Sequence, residues 1–190
     1  MRECGVQNVV EFDWSEEVQV EDTTGRSRPS LTVACVPCQH WCARGLTDRN
    51  KCLWSSWVCA TPKFRYFFGG DTGFCPMFKR VGARYGPFSL SAIPIGAYGS
   101  PSEQWFHKPN HMNPDEAVRC HTDLKSWRSI AIHWGTFQLT AEPLFEPPQL
   151  LEKAKLDHKV SQDAFECLGH GETRTYDFAE AEEHRRQASS

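Results

Sequence analysis

Four places in this 190-residue chain carry side chains able to bind a metal ion or move a proton, each just after an apolar, strand-like run. His40 follows Leu31 to Val36, Asp71 follows Phe64 to Phe68, Tyr98 and His111 follow Leu90 to Ile95, and His133 closes Ser129 to Ile132. The carboxyl ends of strands in layered α/β sheets commonly converge on one site. Two imidazoles and a carboxylate form a donor set suited to zinc or another borderline divalent ion. The same residues at loop positions also read as solvated polar side chains, and spacing alone leaves both readings open.

A second cluster competes with the first. Cys35, Cys38, His40 and Cys42 place four soft donors within eight residues, the raw material of a thiol-ligated zinc or iron–sulfur module. A structural zinc site normally has a second Cys or His pair further on, and Cys52, Cys59 and Cys75 do not form one. Cys35 also falls inside a strand pattern, where a free thiol behaves as a small buried hydrophobe. The reading of these thiols is therefore packing rather than ligation. His121 lies on the apolar face of a helical pattern and reads as a core histidine. His170, between Gly169 and Gly171, reads as a turn residue, and His107, His158 and His184 take no role.

The elements that must position these residues follow from periodicity. Val9 to Trp14 and Val18 to Val20 suggest a strand pair, and Glu21 to Pro29, with Arg26 and Arg28, a polar loop. Leu31 to Val36, Leu53 to Ala60 and Phe64 to Phe68 predict three strands, the last two joined by a turn at Thr61-Pro62-Lys63. Phe74, Phe78, Val81 and Tyr85 recur at helical spacing, with Asp71 or Thr72 as the expected cap. Leu90 to Ile95 reads as a buried strand. Asn113-Pro114-Asp115-Glu116 is a helix start, with a capping side chain, proline at the first turn and acids against the positive end of the helix dipole. Ser129 to His133 and Phe165 to Leu168 predict strands, and Leu150 to Leu156 a helix. A meander of strands followed by alternating helix and strand points to an α/β, α+β layered fold.

Composition sets the class. Hydrophobic residues make up 39% and charged residues 24%, a globular balance. Lys plus Arg total 21 against 24 for Asp plus Glu, a net charge of -3, which argues against nucleic acid as partner. No apolar run approaches the ~20 residues of a membrane-spanning helix, and the first residues lack a signal-peptide layout. The expectation is an intracellular protein, cytosolic or peripheral on membranes. Without a secretory signal, the nine cysteines are expected to be reduced.

Five blocks stand in order: Pro37-Cys38-Gln39-His40-Trp41-Cys42, Phe68-Gly69-Gly70-Asp71-Thr72-Gly73, Ala92-Ile93-Pro94-Ile95-Gly96-Ala97-Tyr98, His111-x-x-Pro114-x-Glu116-Ala117 and Ala131-Ile132-His133-Trp134-Gly135-Thr136-Phe137. On these blocks, from about Gly5 to about Arg174, the chain resembles the C-terminal part of the N-acyl-phosphatidylethanolamine-hydrolysing phospholipases D, zinc enzymes of the metallo-β-lactamase superfamily. The resemblance implies the C-terminal half of an αββα sandwich over residues 1–176, followed by a charged, disordered tail over 177–190. It implies His40 and His133 as ligands of two different zinc ions, Asp71 as the carboxylate bridging them, and His111 and Tyr98 near the substrate, with Asp71 and His111 catalytic. It also implies a phospholipid substrate cleaved to phosphatidic acid and an N-acylethanolamine, a membrane surface as partner, and a homodimer in the complete enzyme. Two zinc ions suit this work because they acidify a water and neutralise charge on a phosphoryl group. The Phe- and Trp-rich surface would line the path of acyl chains.

One departure bears on all of this. The superfamily's His-x-His-x-Asp-His motif is absent, since no two histidines are separated by a single residue. In the family it lies upstream of the segment matching Val9 to Trp14. The expectation is a fold lacking its N-terminal half and four metal ligands, inactive and weak in zinc binding on its own, and prone to associate through an uncovered sheet. The alternative is a non-catalytic relative acting as a binding or regulatory partner.

Overall fold

The computed structural model describes residues 2–21 and 30–189. One mixed sheet of seven strands runs through it, and its strands lie side by side in chain order. The first four, β1 (Glu17–Val20), β2 (Leu31–Val36), β3 (Ser56–Ala60) and β4 (Arg65–Phe68), form an antiparallel meander. The remaining three, β5 (Phe88–Pro94), β6 (Ser126–Ile132) and β7 (Phe165–Glu166), continue in parallel from β4. Each parallel step requires a crossover, and helices supply them. α1 (Met77–Tyr85) links β4 to β5, while α2 (Gln104–His107) and α3 (Pro114–Asp123) link β5 to β6. α4 (Glu146–Asp157) leads to β7, and α5 (Phe178–Ser189) follows it.

The two-residue period of the strands sorts their side chains by face. Register aligns Phe67 with Ser91 and Ser91 with Ser129, and Ile93 with Ala131. This face is buried beneath α1, α3 and α4, where Phe67, Phe78, Val81, Ala117, Val118, Leu124, Leu151 and Phe165 build the core. The alternate residues Tyr66, Leu90, Ile130 and Ile132 are only half-buried, and Phe68 is exposed. Among the described residues, the sheet is thus fully covered on one side only. α3 begins as its sequence predicts: Asn113 Oδ1 accepts from the Glu116 amide and the Glu116 carboxylate accepts from the Asn113 amide, a complete capping box.

Several expectations shift. Residues 9–14 form no strand: β2 pairs with β3 on one side, and on the other it pairs with Glu17–Val20. The α1 cap is neither Asp71 nor Thr72: the helix starts after Pro76, whose ring already has helical geometry, and the Thr72 hydroxyl is used instead by the Gln39 amide and the Gly73 carbonyl. The tail expected to be disordered forms α5, which reaches β5 and β6, buries Ala181 and bonds Arg185 to the Pro62 carbonyl at 3.1 Å. α2 is an element the periodicity did not show. The polar loop with Arg26 and Arg28 lies largely outside the described residues. Among the described residues, no helix is long and apolar enough to cross a membrane.

Candidate functional site

Strand direction decides which residues meet. β2 is antiparallel to β3 and β3 to β4, so β2 runs with β4, and β5 and β6 share that direction. The carboxyl ends of these four strands therefore open on one edge of the sheet, delivering His40, Asp71, the Gly96–Tyr98 segment and His133 to the same place. Backbone bonds stitch the segments together. Gly73 donates to the Gln39 carbonyl at 2.8 Å and Met112 to the Thr72 carbonyl at 3.1 Å, while Gln39 Nε2 reaches the Pro109 carbonyl at 3.1 Å. A Cβ on Gly73 would lie 2.6 Å from the Lys108 carbonyl, and one on Gly96 only 2.3 Å from the His133 carbonyl. Glycine at both positions lets the segments approach this closely.

At this edge three imidazoles and a carboxylate converge. The His111 ring lies 5.3 Å from that of His40 and 5.2 Å from that of His133, centroid to centroid. His133 Nε2 is 3.3 Å from Asp71 Oδ1. His133 itself has φ +58°, a left-handed backbone that turns the chain at the strand end. One nitrogen on each ring, His40 Nε2, His111 Nδ1 and His133 Nδ1, is buried without a hydrogen-bond partner. The other nitrogen of His40, Nδ1, meets the Trp41 carbonyl at 2.8 Å, which aims Nε2 the opposite way.

The electrostatics fit a preformed polar centre. The contact with His133 holds the Asp71 carboxyl below its ordinary range, against the opposing effect of burial, and the same contact raises the His133 imidazole. Burial pushes His111 down to about 4, helped by repulsion from His133 and His40, so its ring is neutral near pH 7. The donors suit a divalent ion in kind. Two donors held 2.0–2.2 Å from one ion at the tetrahedral angle lie about 3.4 Å apart, close to the 3.3 Å between His133 and Asp71. They fall short in number: among the described residues, no group of three or more His, Cys, Asp or Glu side chains is arranged to hold a metal ion.

The remaining predicted residues fall elsewhere. Tyr98 is buried, its hydroxyl donating to Glu146 at 2.8 Å, and it lines an adjacent cavity of about 380 Å³ rather than the one that includes Asp71 and His133. Cys35 and Cys38 are buried, and desolvation raises both thiols, Cys38 to about 11, which keeps them protonated packing residues. His121 is a core histidine as expected, its Nδ1 2.8 Å from Ser129 Oγ. One residue escaped the sequence reading. Glu142, in a loop of no regular period, is buried and accepts from the Ala97 and Gly99 amides at 2.7 and 2.9 Å. Nothing in Thr140-Ala141-Glu142-Pro143 announces such a clamp.

A family profile described as "Beta-lactamase superfamily domain" matches residues 2–134. The chain belongs to the metallo-β-lactamase superfamily. Within it, the chain is 42% identical over 151 residues to N-acyl-phosphatidylethanolamine-hydrolyzing phospholipase D 1 of Caenorhabditis elegans, covering 78% of this chain and 40% of that protein. It is 34% identical over 155 residues to the mitochondrial N-acyl-phosphatidylethanolamine-hydrolyzing phospholipase D of Saccharomyces cerevisiae, covering 80% of this chain and 32% of the relative. The chain thus spans two fifths or less of these relatives' lengths. Among solved structures, Igni18, a metallo hydrolase from Ignicoccus hospitalis, superposes with a TM-score of 0.62 at 18% identity, covering 88% of this chain and 60% of its own. At that identity the likeness speaks for the fold, and the superfamily fold is what the mixed seven-stranded sheet displays.

Proposed function

We propose that His40, Asp71 and His133 are metal ligands of a zinc-dependent phosphodiesterase that acts on N-acyl-phosphatidylethanolamine at a membrane surface. The observation that carries this reading is the clustering of three imidazoles, each with one orphaned buried nitrogen, beside the contact between His133 and Asp71. The likeness to two proteins named for that hydrolysis selects the substrate class. Bound zinc would supply Lewis acidity toward the phosphoryl oxygens. The chain's own residues do the rest. Asp71 stays ionised at neutral pH and offers two oxygens, enough to bridge two ions. His40 and His133 offer one nitrogen each. His111, neutral at that pH, offers both a lone pair and an N–H to the phosphoryl head group.

Two tetrahedral ions call for more donors than three side chains provide, so the chain by itself is expected to hold zinc weakly. A chelator-competition titration tests the assignment. The affinity for zinc is expected to fall by more than about tenfold in Asp71→Asn and in His133→Ala, since loss of an outer-shell partner alone costs about that much. Wild-type affinity in both variants refutes it. The donor shortfall also favours a second reading, a non-catalytic relative that binds the lipid without cleaving it. Release of N-acylethanolamine from N-acyl-phosphatidylethanolamine separates the two: zinc-dependent release that disappears in Asp71→Asn supports the enzyme, and its absence at saturating zinc supports the binder.

A further inference from the structure

At the amino end of β6 lies a cleft of about 540 Å³, within the range of small-molecule sites. β6 runs from Ser126 to Ile132, so at about 3.3 Å per residue the cleft is on the order of 20 Å from His133. Four nitrogen-bearing side chains line it, each from a different segment: His121 from α3, Lys125 from the turn after it, Arg128 from β6 and His184 from α5. Three of them are held in place. His121 is 5% exposed, its Nδ1 lies 2.8 Å from Ser129 Oγ and its ring stacks on Phe165. Its Nε2 has no hydrogen-bond partner among the described residues. The His184 ring donates to the Lys125 carbonyl. The Arg128 guanidinium sits 4.8 Å from the Trp127 ring centroid and 2.6 Å from Asp163 Oδ2.

Negative charge is scarce here. Asp163 is the carboxylate on the lining, and Arg128 already engages it. Burial lowers the pKa of both imidazoles, on His184 against the pull of the Lys125 carbonyl. Like-charge repulsion adds to it, from His184 and Arg128 on His121 and from Arg128 on His184. An anion in the cleft relieves that repulsion and gives His121 Nε2 a partner.

We propose that this cleft binds a phosphate monoester, its phosphoryl oxygens taken by Lys125, Arg128, His121 and His184. The ammonium and the guanidinium supply fixed charge for a dianion. With Nδ1 accepting from the Ser129 hydroxyl, the His121 ring carries its proton on Nε2 and donates there. A tetrahedral group presents oxygens to donors arriving from four segments, which a planar carboxylate does not. Trp127, Val160 and Ala164 complete the lining and leave room for the esterified carbon group. The site stands apart from the metal-ligand reading and does not rest on it.

The test titrates the whole chain near neutral pH, without added zinc, following the ring-proton NMR signals of His121 and His184 at ionic strength held constant with sodium chloride. Inorganic phosphate, glycerol 3-phosphate and dihexanoyl phosphatidic acid below its aggregation concentration are each expected to move both signals saturably. Equal affinity for the two esters supports a soluble ligand, and a tighter hold on dihexanoyl phosphatidic acid supports a lipid head group. Lys125→Asn removes the ammonium and suits the left-handed backbone at φ +55°. It is expected to weaken ester binding at least about tenfold without altering the thermal transition. Asp163→Asn frees Arg128 and is expected to tighten binding about twofold to fivefold, a gain that loss of structure does not produce. His111→Gln, at the other rim, is expected to leave it unchanged. Signals that follow ionic strength alone, binding of inorganic phosphate with neither ester, or equal weakening by His111→Gln and Lys125→Asn overturn the proposal. None of these outcomes bears on the metal ligands, which the zinc titration decides.

Discussion

Acid is expected to weaken this fold through His121, and the effect can be sized. The ring is 5% exposed, stacked on Phe165 and bonded to Ser129. Burial, with lesser repulsion from His184 and Arg128, lowers its pKa from 6.5 to about 4. In the unfolded chain the imidazole protonates near its ordinary value, so between about pH 6.5 and about pH 4 the unfolded state binds more protons than the folded one. Stability from this group is complete above the upper limit and drains away as pH falls toward the lower. The gap sets a ceiling of roughly 3 kcal/mol, and linkage from about pH 7 to about pH 5 gives a loss of about 2 kcal/mol. Urea unfolding at those two pH values measures it. His121→Gln keeps an amide able to bond Ser129 and removes the titration. His111, also pushed down to about 4, contributes to wild type and variant alike, so the difference between them isolates His121. The variant is expected to lose about 2 kcal/mol less than wild type over that interval. Equal losses in the two proteins would refute the burial argument.

Other perturbations have clear outcomes. Gly96→Ala places a Cβ 2.3 Å from the His133 carbonyl, and backbone cannot yield as a side chain does; a loss of about 1–3 kcal/mol and weaker zinc binding are expected, read by thermal melting and chelator competition. Asn113→Ala removes the capping box of α3 and is expected to cost about 1 kcal/mol in denaturant melts. Lys155, 2% exposed, donates to the Gln162 and Phe165 carbonyls at 2.8 Å each. Lys155→Met strips both of their donor and is expected to cost about 1–3 kcal/mol; a neutral result would mean that water replaces the ammonium.

Much of the scaffold was legible because its signals are local. β2 ends before Pro37, α3 announces itself through Asn113-Pro114-Asp115-Glu116, and the Thr61-Pro62-Lys63 turn sits where β3 gives way to β4. Residues 9–14 misled because apolar content without a pairing partner does not make a strand. α5 was missed because its charge and weak periodicity read as a frayed tail, although Ala, Glu, Arg and Gln are strong helix formers and the helix docks on β5 and β6. At the site, His40, Asp71 and His133 stood out by chemical type at strand ends, and the common direction of β2, β4, β5 and β6 explains why they meet. Glu142 was invisible for the opposite reason. Its role is written entirely in the backbone of Ala97 and Gly99, some 45 and 43 residues away.

The shared direction of those four strands sets the far rim of the sheet apart from the histidine cluster. The β3–β4 turn sits there, with Lys63 open to solvent. At about 3.3 Å per residue along β4, that lysine lies on the order of 20 Å from Asp71. A dye or surface tether attached at this turn would hold the molecule with its histidine-rich rim facing outward, and would report a lipid arriving there by energy transfer without touching what receives it.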